Sequence, residues 1–267
     1  YGVNIVGPLE NCGIDENDKN TSRIFKVGYI TYLGQFHEVY KSCYNPTEFS
    51  PLYTVHMINS KEEDKTYDRN FFFNSKFYNV DINDLYRKHT KKFMSLIPQQ
   101  YEHFCGPLNY LARSQLTPRA DFKFEEEQCV TEHYINTVPQ FQSFSQGPWL
   151  EVENHVRNYL VGNTNATVIT GVLGVLQLKN RAKGTNEYED LYLGEKTVPV
   201  PGMIWKVIFY RIRNIDTAVI FMGNIFPDDP VLTMCPNICE HIKFKTTPGI
   251  NCCYLYKLVK KDDILYT

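Results

Sequence analysis

The chain has 267 residues, of which 43% are hydrophobic and 22% charged, and its formal net charge is −2. That is an ordinary balance for a globular protein with enough apolar residues to build a core without staples. It excludes a polycation that coats nucleic acid over its whole surface, so any such binding must come from a local basic surface on a nearly neutral body. No apolar run reaches the roughly 18 residues that a membrane-spanning helix needs, so no membrane partner is expected.

In chain order, residues 1–25 are polar and turn-rich, with Gly2, Gly7, Pro8 and Gly13 among them. The alternation in 26–44 suggests two short strands, and Pro51 to Ile58 reads as a buried strand. Residues 81–96 read as a helix, with Asp81 or Asn83 as cap and Ile82, Leu85, Phe93 and Leu96 on the apolar face. Its basic group, Arg87, Lys88, Lys91 and Lys92, reads as a solvated face, against the alternative of a phosphate-contacting ridge. A helix beginning near Pro148 follows, with Ser145 as its expected N-cap and Trp149, Val152, Val156 and Leu160 facing the core. Residues 166–178 read as two buried strands around Gly171 and Gly174, and 180–189 as a polar hairpin loop. Residues 198–213 and 216–224 are strand candidates. Residues 229–267 carry the last four cysteines and a basic, tyrosine-bearing tail. With no repeat and no compositional break, one domain over 1–267 is expected, mostly antiparallel strands with a few helices.

The eight cysteines are Cys12, Cys43, Cys105, Cys129, Cys235, Cys239, Cys252 and Cys253. An even count at wide spacing points to disulfides in an oxidising compartment rather than to buried thiols in a cytosolic protein. Cys235 and Cys239 are expected to bridge to the Cys252–Cys253 pair or to each other, and Cys105 to lie near Cys129. The sequons at Asn20-Thr21-Ser22 and Asn165-Ala166-Thr167 add to an expectation of a secreted glycoprotein. The chain starts at Tyr1 and is read as a mature form whose leader has been removed.

The stretch from Leu111 to Leu160 carries the chemistry. It holds an arginine and a polar residue near one strand, a second strand ending in Asn136, and a helix bearing Glu153 and Arg157. Glu153 and Arg157 are four apart and so share a neighbouring helix face, an arrangement that is ordinarily a simple ion pair of about 0.2–0.5 kcal/mol. Here the pieces LARSQLTPRADF, YINTVPQ and FSQGPWLEVENHVR occur together, in that order. They resemble the DNA/RNA non-specific endonuclease family, whose pattern is an RGH followed by ADF, then NxAPQ, then FNxGxWxxxExxxR. The likeness is strongest to the insect gut and salivary branch and covers about residues 50–230, with further matches in ITGVLGVLQL, VPVPGMIWKV and AVIFMGN.

The resemblance implies an α+β protein with the ββα-metal nuclease fold, a central antiparallel sheet flanked by helices. It implies site roles for Arg69, Arg113, Asn136, Glu153 and Arg157, which in the family surround the scissile phosphate and the water shell of one magnesium ion. Arg69, Arg113 and Arg157 would be the nucleic-acid-binding arginines, through charge-assisted contacts to phosphate. Two positions depart from the pattern. The family's histidine, its general base, is Gln115, whose amide cannot take a proton near neutral pH. Loss of a general base typically costs about 10²–10⁴-fold in rate. The family's asparagine ligand to magnesium is Ser145, a shorter and poorer donor. Ser114 replaces the glycine of RGH. Rescue by another histidine is not expected: His133 reads as a surface residue, and His155 lies about 200° around the helix from Glu153 and Arg157.

The function expected from these residues is sequence-independent binding of DNA or RNA, with catalysis lost or weak and with magnesium absent or weakly held. The alternatives are a weak magnesium-dependent endonuclease in which Gln115 positions a water, and a salivary-type role on a recycled scaffold that does not involve nucleic acid.

Overall fold

The strands of the main sheet are long apolar runs interrupted by single polar residues, and those interruptions decide what packs on each face. A computed structural model describes residues 2–13, 21–58, 77–88, 110–160, 165–179, 188–212, 215–224, 235–245 and 248–259. Strands β1 (Val3–Val6), β2 (Arg23–Ile30), β3 (Phe36–Asn45) and β4 (Ser50–Ile58) come first, followed by helix α1 over 82–88. The central unit is β5 (Leu111–Gln115), α2 (Glu125–Thr131), β6 (Thr137–Phe141), the single turn α3 (Gln142–Ser145) and α4 (Pro148–Leu160). Strands β7 (Ala166–Val175), β8 (Gln177–Lys179), β9 (Tyr188–Asp190), β10 (Tyr192–Leu193), β11 (Val198–Pro199), β12 (Pro201–Ile212), β13 (Ile215–Asn224) and β14 (Ile250–Tyr254) follow, with α5 (Leu255–Val259) last.

Eight strands form one antiparallel sheet in the order β1-β2-β3-β4-β7-β12-β13-β14, and β5 and β6 form a separate antiparallel ribbon. The expected mixed α+β architecture around a large antiparallel sheet is therefore present. Registers across the sheet align Ser42, Thr54, Thr170, Lys206, Phe221 and Cys252 in one lateral row. The next row on the same face holds Tyr40, His56, Val168, Ile208 and Val219. This face carries the central unit. Ser42 donates to the Ile135 carbonyl at 2.7 Å, and His155 of α4 packs edge-on against Phe221 of β13. On the opposite face, Met203, Val207, Ile220 and Met222 form a smaller core with Cys235 and Cys253.

That two-sided packing explains the adjacent cysteines. Consecutive residues of a strand point to opposite faces. Cys252 accordingly bridges to Cys239 within the main core, and Cys253 bridges to Cys235 within the smaller one. The expected pairing of the last four cysteines holds, and Cys12–Cys43 is a third bridge. The Cys105 expectation lies outside the described residues. So do Arg69, Lys91, Lys92, Phe93, Leu96 and the Asn20 sequon.

Several local expectations change. Residues 1–25 contain β1, a strand too short to show a period. β7 runs unbroken through Gly171 and ends near Gly174, which takes a left-handed φ of 64°. Gly171 marks close packing rather than a turn. A Cβ there would run into the Trp205 indole and lie 2.8 Å from the Leu52 carbonyl. Helix α1 is capped by Asp81, whose carboxylate accepts from the Asp84 N–H at 3.0 Å. Arg87 and Lys88 are exposed and paired with Asp84, which is the solvated-face reading. Ser145 does not cap α4: the helix starts at Pro148, and the Glu151 N–H donates to the Gly147 carbonyl at 3.2 Å. Trp149, Val152, Val156 and Leu160 are all buried, as their spacing predicts.

Candidate functional site

The ββα unit is assembled by side chains of the turns between its strands. Asn136 does not end a strand but closes a single helical turn just before β6. It is fully buried. Its amide oxygen accepts from the Thr117 N–H at 2.8 Å, and its amide nitrogen donates to the carbonyls of Thr117 and Thr131, both at 2.9 Å. Those three bonds use both amide N–H donors and one lone pair of the oxygen, and they pin the loop after β5 to the start of β6.

Gln115 ends β5 and meets the same anchor. Its amide nitrogen donates to the Thr131 carbonyl at 3.1 Å and its oxygen accepts from the Arg119 N–H at 3.2 Å. Ser114 and Ser145 meet each other, with their hydroxyl oxygens 3.0 Å apart. Arg113 turns toward α1: it donates to Tyr134 Oη at 3.1 Å and Asn83 Oδ1 at 2.8 Å, and its guanidinium lies 5.0 Å from the Tyr86 ring centre.

Glu153 and Arg157 belong to a different group. Arg157 donates from one terminal nitrogen to Asp121 Oδ1 at 2.8 Å and from the other to Asn154 Oδ1 at 2.7 Å. Asp121 Oδ2 lies 2.8 Å from His56 Nε2, with both side chains buried. Lys206, only 1% exposed, donates to Thr170 Oγ1 at 2.7 Å and sits 5.9 Å from the Trp149 ring centre. Glu153 accepts no hydrogen bond and forms no ion pair among the described residues; the nearby charges acting on it are Lys206, Asp121 and Arg157.

Ionisation follows from this enclosure. Burial pushes the Glu153 carboxyl up to about 7, with Asp121 adding to the rise and Lys206 and Arg157 opposing it. Burial lowers the Lys206 ammonium, against the attraction of Glu153 and Asp121. Burial also lowers His56, against its bond to Asp121. For Asp121, burial works upward, but the hydrogen bond and charge of His56 with Lys206 and Arg157 outweigh it and hold the carboxyl below its usual value. We take the pair as a neutral His56 donating to an ionised Asp121.

His56, Asp121 and Lys206 are residues that sequence reasoning did not single out. Each left a signal: His56 stands between Val55 and Met57 and Lys206 between Trp205 and Val207, titratable residues with apolar neighbours in strand candidates, and Asp121 sits in the ADF piece of the quoted motif. Two histidine expectations separate. His133 is not a surface residue. It is buried, its Nδ1 lies 2.6 Å from Tyr78 Oη, and burial lowers it to about 4. His155 does face elsewhere, against Phe221 and Phe244.

A family model described as DNA/RNA non-specific endonuclease matches residues 20–246. The chain belongs to the DNA/RNA non-specific endonuclease family. It is 34% identical to a salivary endonuclease of Lutzomyia longipalpis over 99% of this chain and 67% of that protein. It is 25% identical to the mitochondrial nuclease EXOG of Homo sapiens over 48% of this chain and 35% of that one, so it spans about a third of that relative's length. A chain in the crystal structure of an EndoG/EndoGI complex shares the fold, with a TM-score of 0.52 at 20% identity over 73% of this chain and 76% of that one.

Membership in the DNA/RNA non-specific endonuclease family raises the question of magnesium. Among the described residues no three His, Cys, Asp or Glu side chains converge. The Asn136 amide is turned to the backbone by three hydrogen bonds, the Ser145 hydroxyl is engaged by Ser114, and Asp121 is shared between His56 and Arg157. Glu153 is the carboxylate left without a hydrogen-bonding partner in this group. Magnesium keeps most of its waters and needs only one or two protein oxygens, so what weakens the fit here is the ligand position itself, where a short hydroxyl already bonded to Ser114 stands. No described helix is long and apolar enough to cross a membrane.

Proposed function

We propose that this is a nuclease-fold protein that binds DNA or RNA without regard to sequence and has lost most or all of its catalysis. The observation that supports it is the state of Gln115. Both ends of its amide are engaged by Thr131 and Arg119, so the residue at the family's general-base position serves as a structural tie. Binding requires charge but not a base, and Arg157 retains N–H groups with no acceptor among the described residues. Three disulfides and the likeness to a salivary endonuclease support a secreted protein. The exposed Asn165 is its candidate glycan site.

A weak magnesium-dependent endonuclease is the second reading. It is favoured by the 34% identity along nearly the whole chain and by the unbonded Glu153 carboxylate. Plasmid nicking in Mg²⁺ separates the two. The parent, Gln115→His, Ser145→Asn, their double and the triple with Ser114→Gly are compared. Removing the Ser114 hydroxyl frees position 145, so the triple should nick best. The double should exceed the product of the singles, because base and metal act on one transition state. Ready nicking by the parent sinks the first reading.

A further inference from the structure

We propose that His56 is a positioning residue: through Asp121 it fixes the Arg157 guanidinium and keeps part of it open for a phosphate. The inference rests on the nucleic-acid-binding reading above for its functional consequence, though not for its geometry. Arginine and aspartate left alone in a buried recess tend to form a two-pronged pair, in which two parallel N–H groups take both carboxylate oxygens. Here the carboxylate is divided. Oδ1 of Asp121 holds Arg157 at 2.8 Å, while Oδ2 is held by His56 Nε2 at 2.8 Å. His56 thereby blocks the two-pronged pair. One terminal nitrogen of Arg157 is tied to Asp121, the other to Asn154 at 2.7 Å, and the remaining N–H groups meet no acceptor among the described residues. The long side chain is ordered before any ligand arrives, so less rotamer entropy is lost on binding.

The imidazole suits the task. It is completely buried on β4, so it touches no substrate. Its Nδ1 lies 3.4 Å from Thr117 Oγ1, which itself donates to Thr54 Oγ1 at 2.8 Å. An ionised Asp121 can only accept, so the imidazole carries a proton on Nε2, facing it. The charged groups around Asp121 are His56 from β4, Lys206 from β12, and Glu153 and Arg157 from α4. Removing the His56 donor leaves Oδ2 of a buried carboxylate unsatisfied. Arg157 then swings to take both oxygens, or Asp121 takes up a proton in mild acid and releases it.

The test pairs two measurements on the parent, His56→Gln, His56→Leu, Arg157→Ala and the His56→Leu/Arg157→Ala double. The first is the NMR signal of the Arg157 Nε–H group across pH. The second is the affinity for a short fluorescent DNA duplex. The parent and His56→Gln, which keeps a donor near the Nε2 position, should show one ordered Arg157 signal from neutral to mildly acidic pH, moved only by the Glu153 titration near 7. His56→Leu should shift or broaden that signal and add a second transition in mild acid, absent from the parent, and affinity should fall about tenfold, in keeping with loss of a charge-assisted contact. That fall should vanish in the Arg157→Ala background. An unchanged Arg157 signal in His56→Leu overturns the inference, as does an equal loss of affinity in both backgrounds. A parent that binds no DNA sinks the nucleic-acid reading, while the Arg157 signal still decides the positioning. If His56→Leu does not fold, the parent's own imidazole signals decide: a ring protonated on Nε2 at neutral pH is required, and a neutral Nδ1–H tautomer refutes the proposal.

Discussion

Glu153 is held by charge alone, so its protonation reports on the enclosure around it. Its folded-state value of about 7 lies above the ordinary value of 4.5. Between those two pH values the folded protein keeps the proton that the unfolded chain releases, so folding becomes less favourable as pH rises through the window. Above about 7 the penalty is fully present, and below about 4.5 it is gone. Glu153→Gln removes the titration while keeping the shape. Denaturant unfolding should therefore show the parent losing stability relative to Glu153→Gln from about pH 4.5 to 7, with the difference level on either side. A parallel pair of stability curves would show that the carboxyl is ordinarily solvated. The same residue illustrates how far single positions can be read. Glu153 and Arg157 are legible as a helical pair from their spacing, and Gln115 and Ser145 as departures from a motif. The partners that give them their roles come from distant segments: His56 reaches Asp121 across 65 positions, and Arg113 reaches Asn83 across 30. No local pattern encodes such meetings.

At the scale of elements, α4 is the most legible piece, because Pro148 fixes its start and the apolar spacing fixes its buried face. Strand β7 is less so. A glycine in an apolar strand reads equally as a break or as a close approach, and only the neighbour decides. At Gly171 the neighbour is Trp205, across the register of β7 and β12. Gly171→Ala should therefore act as overpacking. The methyl group meets the indole on one side and the Leu52 carbonyl at 2.8 Å on another, so the backbones of β4, β7 and β12 must part. A loss of about 1–3 kcal/mol in unfolding free energy is expected. Because Trp205 and the site side chains lie on opposite faces of β12, nucleic-acid affinity should change little in the fraction that folds. A stabilised Gly171→Ala variant, as a relaxed strand position would give, refutes the packing assignment.

For the whole molecule, the net charge of −2 means that no broad positive field assists binding. Affinity must come from a few local cations, each displacing counterions from a neutralised phosphate. If three or four phosphates are neutralised, log affinity against log salt should fall with a slope of about −3 on duplex DNA. The arginines should not contribute equally. Arg113 is engaged by Asn83, Tyr134 and the face of Tyr86, so Arg113→Ala should chiefly lower stability. Arg157, with N–H groups still open, should carry a phosphate contact. Its replacement by Ala should weaken binding to all sequences alike and reduce the magnitude of the slope by about 1. Titrations of unrelated duplexes over a range of salt, for the parent and both variants, decide the matter. A flat salt dependence would remove phosphate neutralisation as the basis of binding. An Arg157→Ala effect confined to certain sequences would mean that this arginine reads bases, and a loss on Arg113→Ala equal to that on Arg157→Ala would mean that the contacts with α1 yield to the nucleic acid.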